Sequence, residues 1–485
     1  MKKLLYIAGS LFISASVFTS CERDITQLNI DPKRPEVIPS KNLVVTSERY
    51  LADFWVTPSV NLNISRFFTQ QWTETQYIDE TNYNFITRNQ PQNHFNTMYR
   101  DVIGPLKQAG IFLNGEKESQ TFSAGDQAKV KANKQAIIEI LSIYAWVNLV
   151  DTFGNVPYSE ALQSTTGSLI LQPKYDDAAT IYTALEARLN AVVGTISPAL
   201  PSYDNDAFYG GDMSHWIKVV NSLKLRMGLN LADVNPAKSK TLVESAYAAG
   251  VILTPGDDFA FPYVDALVSN PIFQNLVQSG RNDFIPSDVY VNALKAKMDP
   301  RIPKYFTPLA NGTYVGGPYG QLASYANFSH VADVIKTPTY PGYLIESVEV
   351  KFMLAEAAAR GYTVGGTAAT WYGLAVNASM AQWGVAPADA ATYLAANPFN
   401  AANWKQSIGL QAWYAMYNRG IEAWYFFRRL DYPTLAVPGN ADGLVYRITY
   451  SNNEYSTNEV NVKAAAAALG AGGDKYTTKI FWDKN

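Results

Sequence analysis

Apolar positions along this chain recur mostly at intervals of three and four and seldom alternate, a spacing that predicts helices rather than sheets. Ile137, Ile140, Leu141, Tyr144, Val147 and Leu149 trace one face of a helix that closes at Asp151-Thr-Phe-Gly154, with Gly154 suited to cap its end. The next helix is expected to open at Asp176 and Asp177, whose negative charge suits a helix N-terminus, and to carry Ile181, Leu185 and Leu189. A third is expected near Ser214, with Trp216, Val219, Val220, Leu223, Leu225 and Met227 inward and Lys218, Lys224 and Arg226 on the opposite side. Further on, Ile345, Val348, Phe352, Ala355 and Ala359 lead to Gly361, and Trp371, Leu374, Ala378 and Ala381 lead to Gly384. That pattern predicts two helices joined by a short glycine-rich turn. The alanines at 355, 357, 358 and 359 permit close approach of a neighbour, as helix-pair repeats of about 34 residues require. No clean sequence period accompanies them, so such repeats would be degenerate.

Between the periodic segments lie two stretches loaded with Gly, Pro, Asn and Tyr, at 252–343 and 434–485. Loops of that length in a compact protein tend to be functional, so these are expected to drape over a helical scaffold and form its ligand-facing side. A short strand is expected at 444–450.

The first residues follow a different pattern. Lys2 and Lys3, an apolar run at 4–17, and the small residues Thr19 and Ser20 precede Cys21. This is the layout of a secretory signal, residues 1–20, and the cysteine just beyond the cut reads as a lipid attachment point, the alternative being an ordinary signal with an incidental cysteine. The run is shorter than the roughly 18–20 residues a bilayer needs, and the apolar segment at 137–150 is broken by Glu139, Ser142 and Asn148, which suits a packed helix. Residues 21–40 are polar and carry Pro32, Pro35 and Pro39, so they are expected to be an extended tether, followed by a single body at 41–485.

Composition narrows the chemistry. A net charge of −3 implies neither nucleic acid nor an anionic membrane surface as partner. Cys21 is the only cysteine, so no disulfide, thiolate metal site or thiol nucleophile remains in the body. No HExxH, CxxC, Walker A or GxSxG pattern occurs, and His94, His215 and His330 are far apart in sequence. Tyr203-Asp-Asn-Asp206 with Asp212 superficially resembles a calcium loop, but Phe208 and His215 stand where ligands should be. No cofactor and no metal are therefore expected. Aromatics make up 13% of the chain, with 31 Tyr and 10 Trp, which serve either a large core or a surface that stacks on ligands. A hydrolase working through two facing carboxylates stays open as an alternative, because its acids need no local motif.

Several blocks together resemble the SusD/RagB family of surface nutrient-binding lipoproteins, in its SusD-like 2 branch. They are Leu28-Asn-Ile-Asp-Pro32; Val150-Asp-Thr-Phe-Gly-Asn-Val-Pro-Tyr-Ser-Glu-Ala-Leu162; Tyr209-Gly-Gly-Asp212 with Trp216, Lys218 and Asn221-Ser-Leu-Lys-Leu-Arg226; and Asp299-Pro-Arg301. Leu354-Ala-Glu-Ala357, Gly420-Ile-Glu-Ala-Trp424 with Phe427-Arg-Arg429 and Tyr432-Pro433, and Thr478-Lys-Ile-Phe-Trp-Asp483 complete the set, in the family's order. The resemblance implies a mainly α fold with tetratricopeptide-like helix pairs and a loop-rich ligand-binding half. It also implies an outer-membrane location facing the cell exterior, with a SusC-like TonB-dependent transporter as partner. Oligosaccharides are the commonest ligands in the family, and peptides are the runner-up. Most of the blocks read as structural: Trp424, Phe427, Arg428 and Arg429 are expected to pack and to pair with buried acids such as Glu356.

Sugar rings have apolar faces and polar rims, so a glycan site needs aromatic platforms beside amide, carboxylate or guanidinium groups. Two segments supply both. One holds Trp72, Tyr77, Asp79 and Tyr83, and the other is a glycine-opened loop with Tyr314, Tyr319 and Tyr325; Arg281 and Asn282 precede the latter in a further turn. These nine residues are the candidate ligand contacts. The competing reading places Trp72 and Tyr83 in the core and has the loop tyrosines cover the scaffold. A scaffold that binds only proteins is a third possibility for the chain as a whole.

Overall fold

The computed structural model describes residues 38–163, 169–265 and 267–484. The signal, Cys21 and nearly all of the expected tether lie outside the described residues. From Ser40 onward the chain forms one unit built mainly from helices.

The scaffold helices are α1 (Ser40–Val56), α2 (Gly104–Gly115), α3 (Ala124–Phe153), α4 (Ala178–Val193), α5 (Met213–Asn230), α6 (Pro236–Ala248), α7 (Ser347–Ala359), α8 (Ala368–Gln382), α9 (Pro387–Ala396), α10 (Trp404–Ala415) and α11 (Gly420–Leu430). They pack as neighbours in pairs: α1 with α2, α3 with α4, α5 with α6, α7 with α8, and α10 with α11. Their starts are set by side chains that satisfy free backbone donors. Ser123 accepts from the Asp126 amide, Asp177 from Thr180, Asp212 from Ser214, and Asn235 from Lys238. The helix expected near Ser214 therefore begins one residue earlier, behind the Asp212 cap. Gly154 ends α3 at φ +83°, a conformation open to glycine and strained for other residues.

Helix α3 is the axis of the core. Its 30 residues span about 45 Å, and it is buried almost continuously from Ala136 to Phe153. By length and hydropathy it could cross a membrane, yet 94% of its apolar window is covered by the protein itself, so it is a core helix. The pair α5–α6 shows what small residues contribute: a Cβ on Gly228 would stand 2.8 Å from the Val243 side chain, so no larger residue fits this approach.

Buried charges tie the pairs together. Arg226 of α5 meets Glu349 of α7 at 2.7 Å, and Arg419, just before α11, meets Glu346 at 2.5 Å and Glu349 at 3.0 Å. Arg429 of α11 meets Glu356 of α7 at 2.7 Å, as the sequence led us to expect. Arg428 lies 3.6 Å over the Trp424 ring and 4.7 Å from that of Trp482, which brings the C-terminal tail onto α11.

The strands are short and pair antiparallel in twos: β1 (Trp72–Glu74) with β5 (Phe284–Pro286), β2 (Val156–Pro157) with β3 (Tyr175–Asp176), β4 (Phe259–Phe261) with β8 (Gly342–Ile345), and β6 (Phe306–Thr307) with β7 (His330–Val331). Two expectations for the C-terminal stretch are corrected. Residues 444–450 are not a strand; they are irregular, with a bend at Tyr446 and Arg447, and the amides of Tyr446 and Ile448 donate to the Tyr476 and Thr152 carbonyls. Within the stretch expected to be irregular, Asn452–Thr457 and Glu459–Ala468 are helical, the second from an alanine run that buries only Val462 and Ala465.

Candidate ligand-binding face

The pairing of β1 with β5 sets Trp72 opposite Pro286 and Glu74 opposite Phe284. Just beyond the pair, the Thr75 amide donates to the Asp283 carbonyl at 2.8 Å, and the Ala323 amide donates to the Thr75 carbonyl at 3.0 Å. The Asn82 side chain donates to the Gly320 carbonyl at 2.9 Å, and the Gly320 amide donates to the Thr73 hydroxyl at 3.1 Å. The segments 72–83, 281–284 and 314–330, distant in sequence, are thereby sewn into one loop-built face.

Within that face the candidate residues divide. Tyr77 is 63% exposed and held at φ +52°, so its ring stands in solvent; Asn282 is exposed, and Asp79, Tyr314 and Tyr325 are half-buried. Tyr325 stacks on His330 at 3.9 Å with 12° between the rings, and its hydroxyl is pushed up by burial and by the nearby Asp283 charge. Arg281 is committed to Asp283 at 2.7 Å and lies 4.4 Å over the Phe284 ring. The Tyr319 hydroxyl donates to the Phe67 carbonyl at 2.7 Å.

Trp72 and Tyr83 do not offer stacking faces. Trp72 is 1% exposed, with the Arg66 guanidinium 5.2 Å over its ring and Phe284 6.1 Å away. Tyr83 is buried with its hydroxyl accepting from Gln70 at 3.2 Å. Both are the floor on which the face rests: Trp72 lies in a strand buried on both sides, and Tyr83 packs against Phe68 after the turn Glu80–Asn82.

Below the surface the electrostatics are acidic. Glu80 pairs with Arg88 at 2.5 Å, while Glu74 is fully buried and its carboxyl is pushed up to about 9, by burial first and by Glu80 second. His330, Asp283 and the Glu74–Glu80 pair were not singled out from the sequence. Asp283 stands two places after Arg281, which is the one signal that was available.

Two other concavities are less suited to a sugar. A cavity between Trp55, Tyr343, Trp383 and Arg419 holds about 20 Å³, room for one water. A groove of about 600 Å³ between α8 and α9 is walled by Ala381, Val385, Ala390 and Leu394, with no aromatic ring. Among the described residues, no group of three or more His, Cys, Asp or Glu side chains could hold a metal ion. The loop after Tyr203 spends Asp206 on the Trp216 ring nitrogen at 2.8 Å and on the Phe208 and Gly211 amides at 3.0 Å, which makes it structural.

Comparison with known proteins places the fold. The profile of the SusD-like_2 family, described as starch-binding and associating with the outer membrane, matches residues 32–451. Among solved structures, a chitin-binding protein is 24% identical, covering 92% of this chain and 100% of its own, with a TM-score of 0.78. A chitin-binding SusD homolog from Flavobacterium johnsoniae is 24% identical over 92% of this chain and 99% of its own, with a TM-score of 0.75. A SusD-like protein from Bacteroides thetaiotaomicron is 23% identical over the same shares, with a TM-score of 0.74. At such identities these structures establish the fold. No curated protein sequence matches the chain.

Proposed function

The chain belongs to the SusD-like family of starch-binding, outer-membrane-associated proteins, and from that premise we propose that it captures an oligosaccharide at the cell exterior. A lipid on Cys21 holds it there, and a SusC-like TonB-dependent transporter receives the ligand. No bond is broken in this account: the family is one of carbohydrate binders, and the face offers rings and polar edges.

The observation that carries the reading is the convergence of Tyr77, Asp79, Asn282, Tyr314 and Tyr325 on one loop-built face. A sugar ring lies against the exposed Tyr77 ring or the Tyr325–His330 stack, while the Asp79 carboxylate and the Asn282 amide meet its hydroxyls. Two of the structures similar to this chain are described as chitin-binding, so chitin oligosaccharides stand beside starch fragments as first ligands to try.

Calorimetry with starch, chitin and other oligosaccharides, and with peptides of matched length, tests the proposal. A glycan is expected to bind, to be recovered uncut, and to bind at least tenfold more weakly to Tyr325→Ala. Binding of peptides alone, or release of shortened glycan, would overturn it. Labelled palmitate incorporated by the wild-type chain and not by Cys21→Ala checks the anchor, and co-purification with a barrel encoded beside it checks the partner.

A further inference from the structure

Glu74 closes β1, and Glu80 opens the turn Glu80–Asn82 that follows; both side chains are buried. One oxygen of each is accounted for. Glu74 Oε2 accepts from the Thr81 amide at 3.3 Å and its hydroxyl at 3.5 Å, and Glu80 Oε1 accepts from Arg88 at 2.5 Å. The remaining oxygens, Glu74 Oε1 and Glu80 Oε2, meet no N–H or O–H donor of the rest of the protein. Glu74 takes the amide of Thr81, the residue after Glu80, so the two buried carboxyl groups are neighbours, and the Glu80 charge bears on Glu74. Two charged carboxylates side by side in the interior, each with an oxygen that no donor meets, would repel, whereas a proton on one of them would let it donate to the other. Arg88 favours the anion at Glu80, so the proton belongs to Glu74.

The other elements packed here do not change that assignment. From the turn before β5 comes Asp283, whose charge is matched by Arg281, and from the 314–320 loop comes the neutral Tyr319 phenol. The nearby cations Arg88 and Arg281 pair with Glu80 and Asp283 and not with Glu74.

We infer that a single proton shared by the Glu74 and Glu80 carboxyl groups locks the 75–89 loop onto the binding face, which makes Glu74 a positioning residue for ligand capture. The link to capture rests on the proposed function; the lock does not. Tyr77 and Asp79 lie on the locked loop, and Asn82 is its tie to Gly320.

The sign of the pH dependence follows. With the loop closed, Glu74 keeps its proton up to about 9; with the loop open and solvated, it regains an ordinary carboxyl value near 4.3. Across that window the closed loop holds a proton that the open one does not, so opening grows with pH by up to about tenfold per unit and levels off above about 9. The lock is strongest in mild acid.

Hydrogen exchange of the 75–89 amides between pH 6 and 10, corrected for intrinsic rates, reads the opening, with helix α5 as internal reference. In the wild-type protein the opening is expected to climb and then level off. In Glu74→Gln it is expected to stay flat, because the amide donates to Glu80 at every pH. Glu80→Gln, which removes the neighbouring charge, is expected to shrink the slope and serves if the first variant fails to fold. Equal slopes in the wild type and in whichever variant folds would overturn the lock. Affinity for a glycan found by calorimetry should weaken from pH 6 to pH 9 in the wild type and hold in Glu74→Gln. If no glycan binds, exchange still decides the lock, so the two ideas fail separately.

Discussion

Two sets of buried acids, one where helices α5, α7 and α11 meet and one in the loop face, are neutralised by different means. Between helices, carboxylates meet guanidinium groups: Glu349 with Arg226 and Arg419, Glu356 with Arg429. In the loop face, Glu74 meets Glu80, and only one of them has an arginine. Helices fix Cα positions on rigid rods, so a long side chain from one can be aimed at a carboxylate on another, and the pair then specifies how the helices register. Loops give no such rigid lever arm, and there a proton and backbone bonds such as Thr75 to Asp283 do the tying. The scaffold is thereby built to keep one arrangement, while the face rests on contacts that solution conditions can loosen.

The largest effect comes where the two regions meet. Trp72 sits in a segment chosen for ligand contact, yet it is packed as core, so Trp72→Ala should cost about 4 kcal/mol in denaturant unfolding and weaken ligand binding as the floor subsides. Loss of affinity at unchanged stability would return Trp72 to the surface and erase the boundary drawn here. Arg226→Met leaves Glu349 buried with Arg419 as its remaining partner, so stability should fall by about 3 kcal/mol. Ligand affinity of the folded fraction should not change, because Arg226 reaches only the scaffold; a change would show that the two regions are coupled.

The same division explains what could be read from the chain. Helical spacing is a local signal, so α3, α4, α5 and the α7–α8 hairpin were legible, down to the Asp177 and Gly154 caps. The Glu356 partner of Arg429 was legible because a charged residue inside an apolar helical run is buried only when it is paired. The loop segments were legible as candidates by composition alone, and the structure does bring 72–83, 281–284 and 314–330 together. Which rings face water was not legible. Tyr77 and Tyr83 are six residues apart, and one is exposed while the other is buried: Tyr83 bonds to Gln70, and its neighbour Asn82 is tied to the distant Gly320. Glu74 and Glu80 look in sequence like two ordinary surface acids, and only β5 covering β1 makes them a pair. The Glu459–Ala468 helix escaped because its alanines give almost no apolar stripe.

A smaller effect tests the scaffold alone. Asp177→Ala removes the acceptor for the Thr180 amide at the start of α4, and unfolding should register a loss of about 1 kcal/mol with no change in ligand affinity.

The smallest effect on stability should fall at Tyr77, and there the comparison is sharpest. Its ring is 63% exposed and its backbone is left-handed, so the tyrosine contributes little packing and occupies a conformation that glycine adopts without strain. Nothing in the free protein calls for an aromatic side chain at this place; a ligand that covers the ring would. Tyr77→Ala is therefore expected to shift unfolding by about 0.5 kcal/mol or less, while glycan affinity falls about tenfold as the stacking surface disappears. Tyr77→Gly separates the two contributions, since it relieves the backbone and still removes the ring. Stability at or above that of the alanine variant, with the same loss of affinity, would assign the ring to the ligand, whereas full affinity in both variants would remove Tyr77 from the face.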